Sequence, residues 1–246
     1  MKTALVAATL AAIAGTAFAA DLPPARLPVK VEPPPPVATW TGCYLGAGAG
    51  YDVWNQDHVT TVAGVGATAK TTTGGRGWFG TAQVGCDYQF DANWVVGAFG
   101  DGNWGSMKGS FQDSGFQLYG QEKEKWSWAA GGRVGYVVYP TLMGFVTGGW
   151  SQAHFDQINL INAVGTFSNI YPSHTYSGWF LGSGYEYRLP WLPGFTWKTE
   201  YRFTEFSNDN LPLLTAAGGP TGFGMNAHKY EQTIRSELVW RFNGWH

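Results

Sequence analysis

Four histidines are the side chains in this sequence best suited to acid–base catalysis: His58, His154, His174 and His228. A histidine beside a serine and an acid can activate the serine for attack on an ester or amide, and Ser173 directly precedes His174. None of the four has a spacing that fixes a serine–histidine–acid triad, and all lie in or beside predicted loops. We therefore predict solvated loop histidines and no catalytic residues.

Sites for metals, nucleotides and nucleic acid are not predicted. No pair of histidines and no cluster of aspartate and asparagine has the spacing of a metal-binding loop. The glycine-rich stretches 46–50 and 74–77 lack the strand–loop–helix context of a phosphate-binding loop. The chain has 15 basic and 17 acidic residues, and this slightly acidic balance gives no electrostatic case for nucleic acid. We expect no metal and no cofactor.

The first 19 residues have the pattern of a secretory signal. Lys2 gives a basic start, residues 4–15 form an apolar stretch too short to cross a membrane, and Ala17-Phe18-Ala19 is a small-x-small cleavage pattern. We expect cleavage after Ala19 and export of the remaining chain from the cytoplasm.

Residues 20–38 contain seven of the 13 prolines. This composition favours the extended polyproline conformation, which would give a spacer up to about 59 Å long at ~3.1 Å per residue. We expect a passive periplasmic spacer, and binding of this segment to peptidoglycan is the alternative.

Alternation of period two dominates from residue 39 onward, with no helical period over any long window. It defines eight segments near or above the ~9–11 residues that a tilted membrane strand requires. The segments are 39–51, 78–90, 94–104, 125–137, 142–152, 176–188, 195–203 and 228–242. The connections after odd-numbered segments are long and polar, and they are 52–77, 105–124, 153–175 and 204–227. We predict an all-β, eight-stranded antiparallel up-and-down barrel domain over residues 39–246.

The two faces of these strands differ in chemistry. One face carries ten charged residues interleaved with glycines: Asp87, Asp101, Arg133, Glu186, Lys198, Glu200, Arg202, Arg235, Glu237 and Arg241. The other face is apolar, with aromatic residues gathered near both strand ends and aliphatic residues between them. Two aromatic belts around an aliphatic band match a bilayer, whereas a soluble core would mix large and small side chains throughout. We therefore predict a transmembrane barrel in which Trp197 and Tyr201 face lipid and Lys198 faces the lumen.

An eight-stranded barrel has an interior about wide enough for its own side chains to fill. The ten lumenal charges divide into five acidic and five basic residues, so every charge can have a partner. A selective pore would carry rings of one sign. We predict a lumen plugged by ion pairs in a structural membrane protein, and a narrow channel for small solutes or ions is the alternative.

Cys43 and Cys86 are the only cysteines, and both lie on the outward face of neighbouring predicted strands. Directly opposed residues have Cβ atoms about 4.5–5.5 Å apart, which is slightly long for a bridge, but periplasmic redox conditions favour one if the register fits. The sequence leaves open both a disulfide and a pair of lipid-facing thiols.

Several short stretches resemble the small outer-membrane β-barrel proteins of alphaproteobacteria, which are distant kin of the opacity proteins and of the OmpA transmembrane domain. The stretches are 17–23, 40–46, 93–97, 132–136, 147–149 and 240–242. This resemblance covers essentially the whole chain. It implies a Gram-negative surface antigen and cell-envelope component, often labelled porin family, set in outer-membrane lipid and lipopolysaccharide. It also implies a periplasmic N-terminus and extracellular long loops.

The resemblance further implies insertion by the barrel-assembly machinery, which reads an aromatic-ended final strand. Trp240 and Phe242 are the expected assembly signal, although the chain continues to Trp245, which could serve instead. Cys43 replaces the aromatic residue that the family usually has at this position. Some eight-stranded outer-membrane barrels are lipid A-modifying enzymes, and that activity and adhesion through the loops are the less favoured functions. The sequence does not predict an oligomeric state.

Overall fold

The computed structural model describes residues 39–113 and 115–242. The expected signal peptide with its cleavage after Ala19, the proline-rich spacer and residues 243–246 lie outside these residues. The described part contains no helix long and apolar enough to cross a membrane. Its strands are β1 (Gly42–Val62), β2 (Val65–Gly66), β3 (Thr71–Gln89), β4 (Trp94–Asp113), β5 (Leu118–Tyr139), β6 (Leu142–Phe155), β7 (Ile158–Ile161), β8 (Phe167–Tyr171), β9 (His174–Arg188), β10 (Phe195–Phe206), β11 (Asp209–Thr215) and β12 (Pro220–Phe242).

Eight of these strands form a closed antiparallel ring. Its order is β1, β3, β4, β5, β6, β9, β10 and β12, and β12 pairs back onto β1. The closing pair is long, with a register that runs from Cys43 opposite Phe242 to Val62 opposite Phe223. The prediction of an all-β, eight-stranded up-and-down barrel is confirmed.

Side chains alternate between the barrel interior and its outside. On β10, Trp197 is 44% and Tyr201 46% exposed, whereas Lys198 is 1% exposed. The sequence of β6 showed no clear polar face, and here Met143 and Phe145 point inward and are buried. The inward aromatic and thioether groups pack beside charged side chains, so β6 contributes packing rather than charge to the interior.

The expected long polar loops are wrong in the described part of the chain, because most of their residues continue the strands. β1 extends to Val62 where the sequence predicted an end at residue 51, and β3 begins at Thr71 rather than 78. These extensions keep an inward apolar series that includes Trp54, Phe111 and Phe155, all buried. The local composition is polar because the inward face mixes these apolar groups with buried polar residues, such as Gln56 and His58 on β1, and this hid the alternation.

The hairpins that join β1 to β3, β4 to β5, β6 to β9 and β10 to β12 are long, and we call the end of the barrel where they lie the long-hairpin end. The short strands outside the ring build a second layer at this end. β7 pairs with β5 and β8, β8 with β11, and β11 with β12, so a row of strands joins β5 to β12. A buried cluster underlies this row, and we call it the cap cluster: Phe111, Leu118, Ile158, Leu160, Tyr171, Leu211, Leu213 and Met225. Burial of this apolar surface from water holds the hairpins together at this end.

Candidate functional site in the barrel interior

The other end of the barrel has short turns, at residues 90–93, 140–141 and 189–194, and we call it the short-turn end. A cluster of two acids and two arginines fills the interior near this end. Arg133 donates to both carboxylate oxygens of Asp87, and its Nη1 donates to Glu186 Oε2 at 2.9 Å. Arg241 Nη2 lies 2.8 Å from Asp87 Oδ2 and 2.9 Å from Glu186 Oε1. All four residues are at most 6% exposed. The cluster is formally neutral, which limits the cost of removing its charges from water.

A second cluster lies farther from the short turns than the first, and it joins β4, β10 and β12. Arg202 Nη2 lies 2.8 Å from Asp101 Oδ2 and 3.1 Å from Glu200 Oε1. Arg235 Nη1 lies 2.9 Å from Asp101 Oδ1. Lys198 Nζ lies 2.9 Å from Glu200 Oε2. Each acid therefore faces at least two cations.

Lys198 extends this second cluster toward β3. Its Nζ donates to Gln83 Oε1 at 2.8 Å and lies 3.5 Å from Glu237 Oε2. Gln83 Nε2 in turn donates to Glu237 Oε2 at 2.7 Å. The structure thus brings all ten predicted lumenal residues into these two buried clusters, across six strands of the ring.

Aromatic rings and glycines shape the space around the charges. The Arg202 guanidinium carbon lies 4.2 Å from the centre of the Phe180 ring, and that of Arg133 lies 4.8 Å from the centre of the Tyr44 ring. Such cation–π contacts are strongest where water is excluded. A Cβ atom added at Gly97 would overlap the Asp87 carboxylate, so glycine there makes room for the acid.

The long-hairpin end of the interior holds charges that the sequence analysis missed. Lys229 Nζ lies 2.6 Å from Glu122 Oε1. The same ammonium sits 4.5 Å from the Trp54 ring centre, 3.9 Å from that of Phe155 and 4.9 Å from that of Tyr176. The sequence carried a signal for Lys229, because it has the same parity as the inward-facing Arg235 on the last predicted strand.

Three further buried acids were also missed: Asp52, Glu124 and Glu231. Asp52 lies just beyond the predicted end of the first strand. Glu124 has the opposite parity to Arg133 in the sequence, but a β-bulge between Glu124 and Trp126 turns it inward. Glu231 shares the parity of Arg235 and was recognisable. With these, Glu122 and the buried Asp113, the described residues include ten buried carboxylates and six buried lysines and arginines, so the predicted balance of charge holds only for the ten residues first identified.

Two curated relatives match this chain over most of its length. The 25 kDa outer-membrane immunogenic protein of Brucella canis is 31% identical over 213 residues, which cover 85% of this chain and 86% of that protein. The 31 kDa outer-membrane immunogenic protein of Brucella melitensis is 28% identical over 222 residues, 86% of this chain and 90% of that protein. This chain belongs to the family of the outer-membrane immunogenic proteins. No family model matches it.

Membership of this family makes the protein a surface-exposed outer-membrane β-barrel, and the resemblance to small alphaproteobacterial outer-membrane barrels is confirmed. Among solved structures, the outer membrane protein OprG from Pseudomonas aeruginosa matches with a TM-score of 0.56 and 9% identity, over 82% of this chain and 97% of that one. At this identity the likeness concerns the fold alone.

The barrel of this family member carries a disulfide at its short-turn end. Cys43 on β1 lies directly opposite Cys86 on β3, and the two are joined with a Cα–Cα distance of 3.9 Å. The pair of free thiols, which the sequence left open, is therefore not what the structure contains. Near the same end of β12, Trp240 is exposed on the outside of the barrel.

The histidines are not solvated loop residues, and that prediction was wrong. His154, His174 and His228 lie on strands, and each contacts a neighbour: Thr175 Oγ1 at 2.9 Å, Asp209 Oδ2 at 3.0 Å and Glu205 Oε1 at 3.3 Å, respectively. Within residues 39–113 and 115–242, no histidine hydrogen-bonds to a serine.

His58 is the buried member of this set and lies on β1, beyond the aromatic belt at the long-hairpin end. Its Nε2–H donates to the Gln112 carbonyl at 3.0 Å, and its ring stacks on Phe111. Burial lowers the pKa of the His58 imidazole below its ordinary value of 6.5, an effect that outweighs the backbone hydrogen bond to Gln112 and the nearby carboxylates. The neutral ring therefore serves as packing at the cap cluster.

Proposed function

We propose that this protein is a structural component of the outer membrane, with a barrel interior sealed by ion pairs and without enzymatic activity. The observation that carries the proposal is the burial of all ten charged residues of the two clusters, each at most 7% exposed. Buried charged side chains that are paired with one another fill the narrow interior of an eight-stranded barrel and leave no broad aqueous path through it.

We further propose that the short turns and the N-terminus face the periplasm and that the long hairpins face the exterior. The hairpins extend far beyond the aromatic belt that includes Trp78 and Trp104, and they carry the cap cluster. In outer-membrane barrels the short turns are periplasmic and the longer connections extracellular. In this arrangement the barrel-assembly machinery meets Trp240 and Phe242, and lipopolysaccharide surrounds the outer part of the barrel.

Single-channel recording in planar lipid bilayers tests the sealed interior. We expect purified protein to give no stable conductance steps. Replacing Asp101 and Arg202 together by serine removes volume from the second cluster without changing its net charge, and we expect this variant to conduct small ions. A variant with Asp57→Ser and Lys70→Ser loses an ion pair outside the interior, 2.6 Å long, and should stay closed.

Stable and reproducible conductance steps in the unmodified protein would refute the sealed interior and favour the narrow channel. The absence of enzymatic activity has its own test. Mass spectrometry of lipid A from cells with and without the gene should give identical acyl-chain patterns, and a gene-dependent change in those patterns would make the protein an enzyme.

A further inference from the structure

Three carboxylates from distant parts of the chain meet inside the barrel at the long-hairpin end. Asp52 comes from β1, Glu124 from β5 and Glu231 from β12, and one carboxylate oxygen of each lies within 4.8 Å of those of the other two. All three side chains are buried, at 0%, 0% and 4% exposed. Three like charges this close and this far from water repel each other strongly unless a cation or protons intervene.

Two of the three carboxylates in this group are buried without a hydrogen-bond partner. Both oxygens of Asp52 and both oxygens of Glu124 are fully buried without a hydrogen-bond partner. Across residues 39–113 and 115–242, no lysine or arginine forms an ion pair with Asp52, Glu124 or Glu231.

The nearest basic groups are already paired with other acids. Lys229 is held 2.6 Å from Glu122, and Arg202 and Arg235 each lie within 3 Å of Asp101. The ten buried carboxylates of the described residues exceed the six buried lysines and arginines by four, and this group holds three of the acids without an ion-pair partner. This part of the interior therefore lacks positive charge to balance its three acids.

We propose that Asp52, Glu124 and Glu231 bind a divalent metal ion of the hard, oxygen-preferring class, with Ca²⁺ as the best match. Ca²⁺–oxygen distances of ~2.3–2.6 Å allow one ion to touch oxygens up to roughly 5 Å apart, and the donor set contains neither nitrogen nor sulfur. Thr233 would supply a fourth oxygen. It is buried, its hydroxyl has no hydrogen-bond partner, and it lies opposite Asp52 in the β1–β12 register.

A bound ion would link three strands of the ring where the ion-pair clusters end. β12 is the closing strand and pairs with β1, while β5 lies on another part of the ring. The ion would therefore join β5 to the β1–β12 seam through the interior, below the cap cluster. The ion would thus cross-link the strands in the long-hairpin half of the barrel, as the arginine clusters do in the short-turn half.

The test uses full-length mature protein refolded in detergent without lipopolysaccharide, because lipopolysaccharide itself binds Ca²⁺. After treatment with EDTA, equilibrium dialysis against Ca²⁺ should show about one tightly held ion per chain. Glu124→Gln and Glu231→Gln each remove one ligand charge and should weaken this binding roughly tenfold or more. Asp57→Asn alters an acid on the same strand as Asp52, outside the group, and should bind like the unmodified protein.

Thermal unfolding supplies a second readout. The difference in melting temperature between the unmodified protein and Glu231→Gln should have opposite signs in Ca²⁺ and in EDTA. In Ca²⁺ the unmodified protein should melt at a higher temperature than Glu231→Gln, because it alone holds the ion fully. In EDTA the order should reverse, because the variant has lost a like-charge repulsion. A purely structural role for Glu231 predicts the same order in both conditions.

Binding of Mg²⁺ in place of Ca²⁺ with the same dependence on the three acids would support the site. Two results would overturn it: no binding above that of the Glu124→Gln variant, or a melting temperature of the unmodified protein that is the same in Ca²⁺ and EDTA. Either result would leave shared protons as the means by which the group is neutralised. If Glu231→Gln fails to refold, Asp52→Asn replaces it in both measurements.

Discussion

Arg202 on β10 crosses the barrel interior and donates two parallel hydrogen bonds to Asp101 on β4, Nη1 to Oδ1 at 3.1 Å and Nη2 to Oδ2 at 2.8 Å. The two strands are not neighbours in the ring, so this contact spans the interior instead of running along one sheet ladder. Paired, fork-like contacts of this kind fix both orientation and distance. The pair therefore holds opposite walls of the barrel at a set separation.

Breaking this pair on one side should destabilise the barrel. Arg202→Ala leaves Asp101 buried with Arg235 as its remaining cation, and we expect the free energy of unfolding to fall by about 3 kcal/mol. Urea unfolding in lipid vesicles, followed by heat-modifiable gel mobility, measures the change. Lys70→Ala removes the exposed partner of Asp57 and serves as the control, with no measurable change expected. An unaltered midpoint for Arg202→Ala would show that the crossing pair contributes nothing to stability.

The ten charges that form the two clusters were predictable because they sit on strands with strict alternation. Lys198, Glu200 and Arg202 share a parity on an uninterrupted strand, and the opposite parity is aromatic. Bilayer physics then fixes which face is inside. The pairing of Arg202 with Asp101 was not predictable, because parity gives the face of a residue but not the tilt of the strands that sets which inward residues meet.

Two acids of the three-carboxylate group, Asp52 and Glu124, were hidden for a different reason. Glu124 faces inward only because β5 carries an extra residue at a β-bulge, and a bulge reverses the parity of everything beyond it. Asp52 was hidden because the strand continues into a segment of polar composition. The alternation of period two gives the inward face only as far as the first irregularity, which on β5 lies between Glu124 and Trp126.

Gly97 on β4 should not tolerate a side chain. A Cβ atom there would overlap the Asp87 carboxylate and lie 2.8 Å from the Cys86 carbonyl oxygen, so Gly97→Ala must displace Asp87 from its arginines. Overpacking of this kind costs about 1–3 kcal/mol. Gly100→Ala on the same strand is the matched control, because its Cβ would meet only the Ala129 carbonyl oxygen at 3.7 Å. Equal unfolding midpoints for the two variants would contradict this account of the glycine.

The Cys43–Cys86 disulfide should stabilise the barrel by restricting the unfolded chain. The bond closes a loop over a sequence separation of 43 residues, and bridges of this kind contribute about 2–4 kcal/mol. We expect the Cys43→Ala, Cys86→Ala double variant to unfold at lower urea concentration than the oxidised protein. Reductant should lower the midpoint of the unmodified protein and leave that of the variant unchanged. Two reactive thiols in the unfolded, unreduced protein would show that the bridge does not form.

His58 should make the cap cluster sensitive to mild acid. Its pKa is lowered in the folded protein because the ring is buried against Phe111, so the unfolded chain takes up a proton at higher pH than the folded one. The stability that the neutral ring contributes is complete above its ordinary pKa of 6.5 and falls as the pH drops through 6.5 toward the lower folded value. The free energy of unfolding of the unmodified protein should therefore decrease between about pH 7 and pH 5 more than that of His58→Gln.

The difference between these two proteins isolates the histidine, because every buried carboxylate is common to both. Glutamine cannot be protonated, yet its amide can still donate to the Gln112 carbonyl that His58 Nε2 contacts at 3.0 Å. His228→Gln, which alters a partly exposed histidine whose Nε2 lies 3.3 Å from Glu205, tests whether any histidine gives the same response. Parallel pH profiles for the unmodified protein and His58→Gln would mean that His58 takes up its proton at the same pH in the folded barrel as in the unfolded chain. The packing of its ring against Phe111 would then have to accommodate a charge.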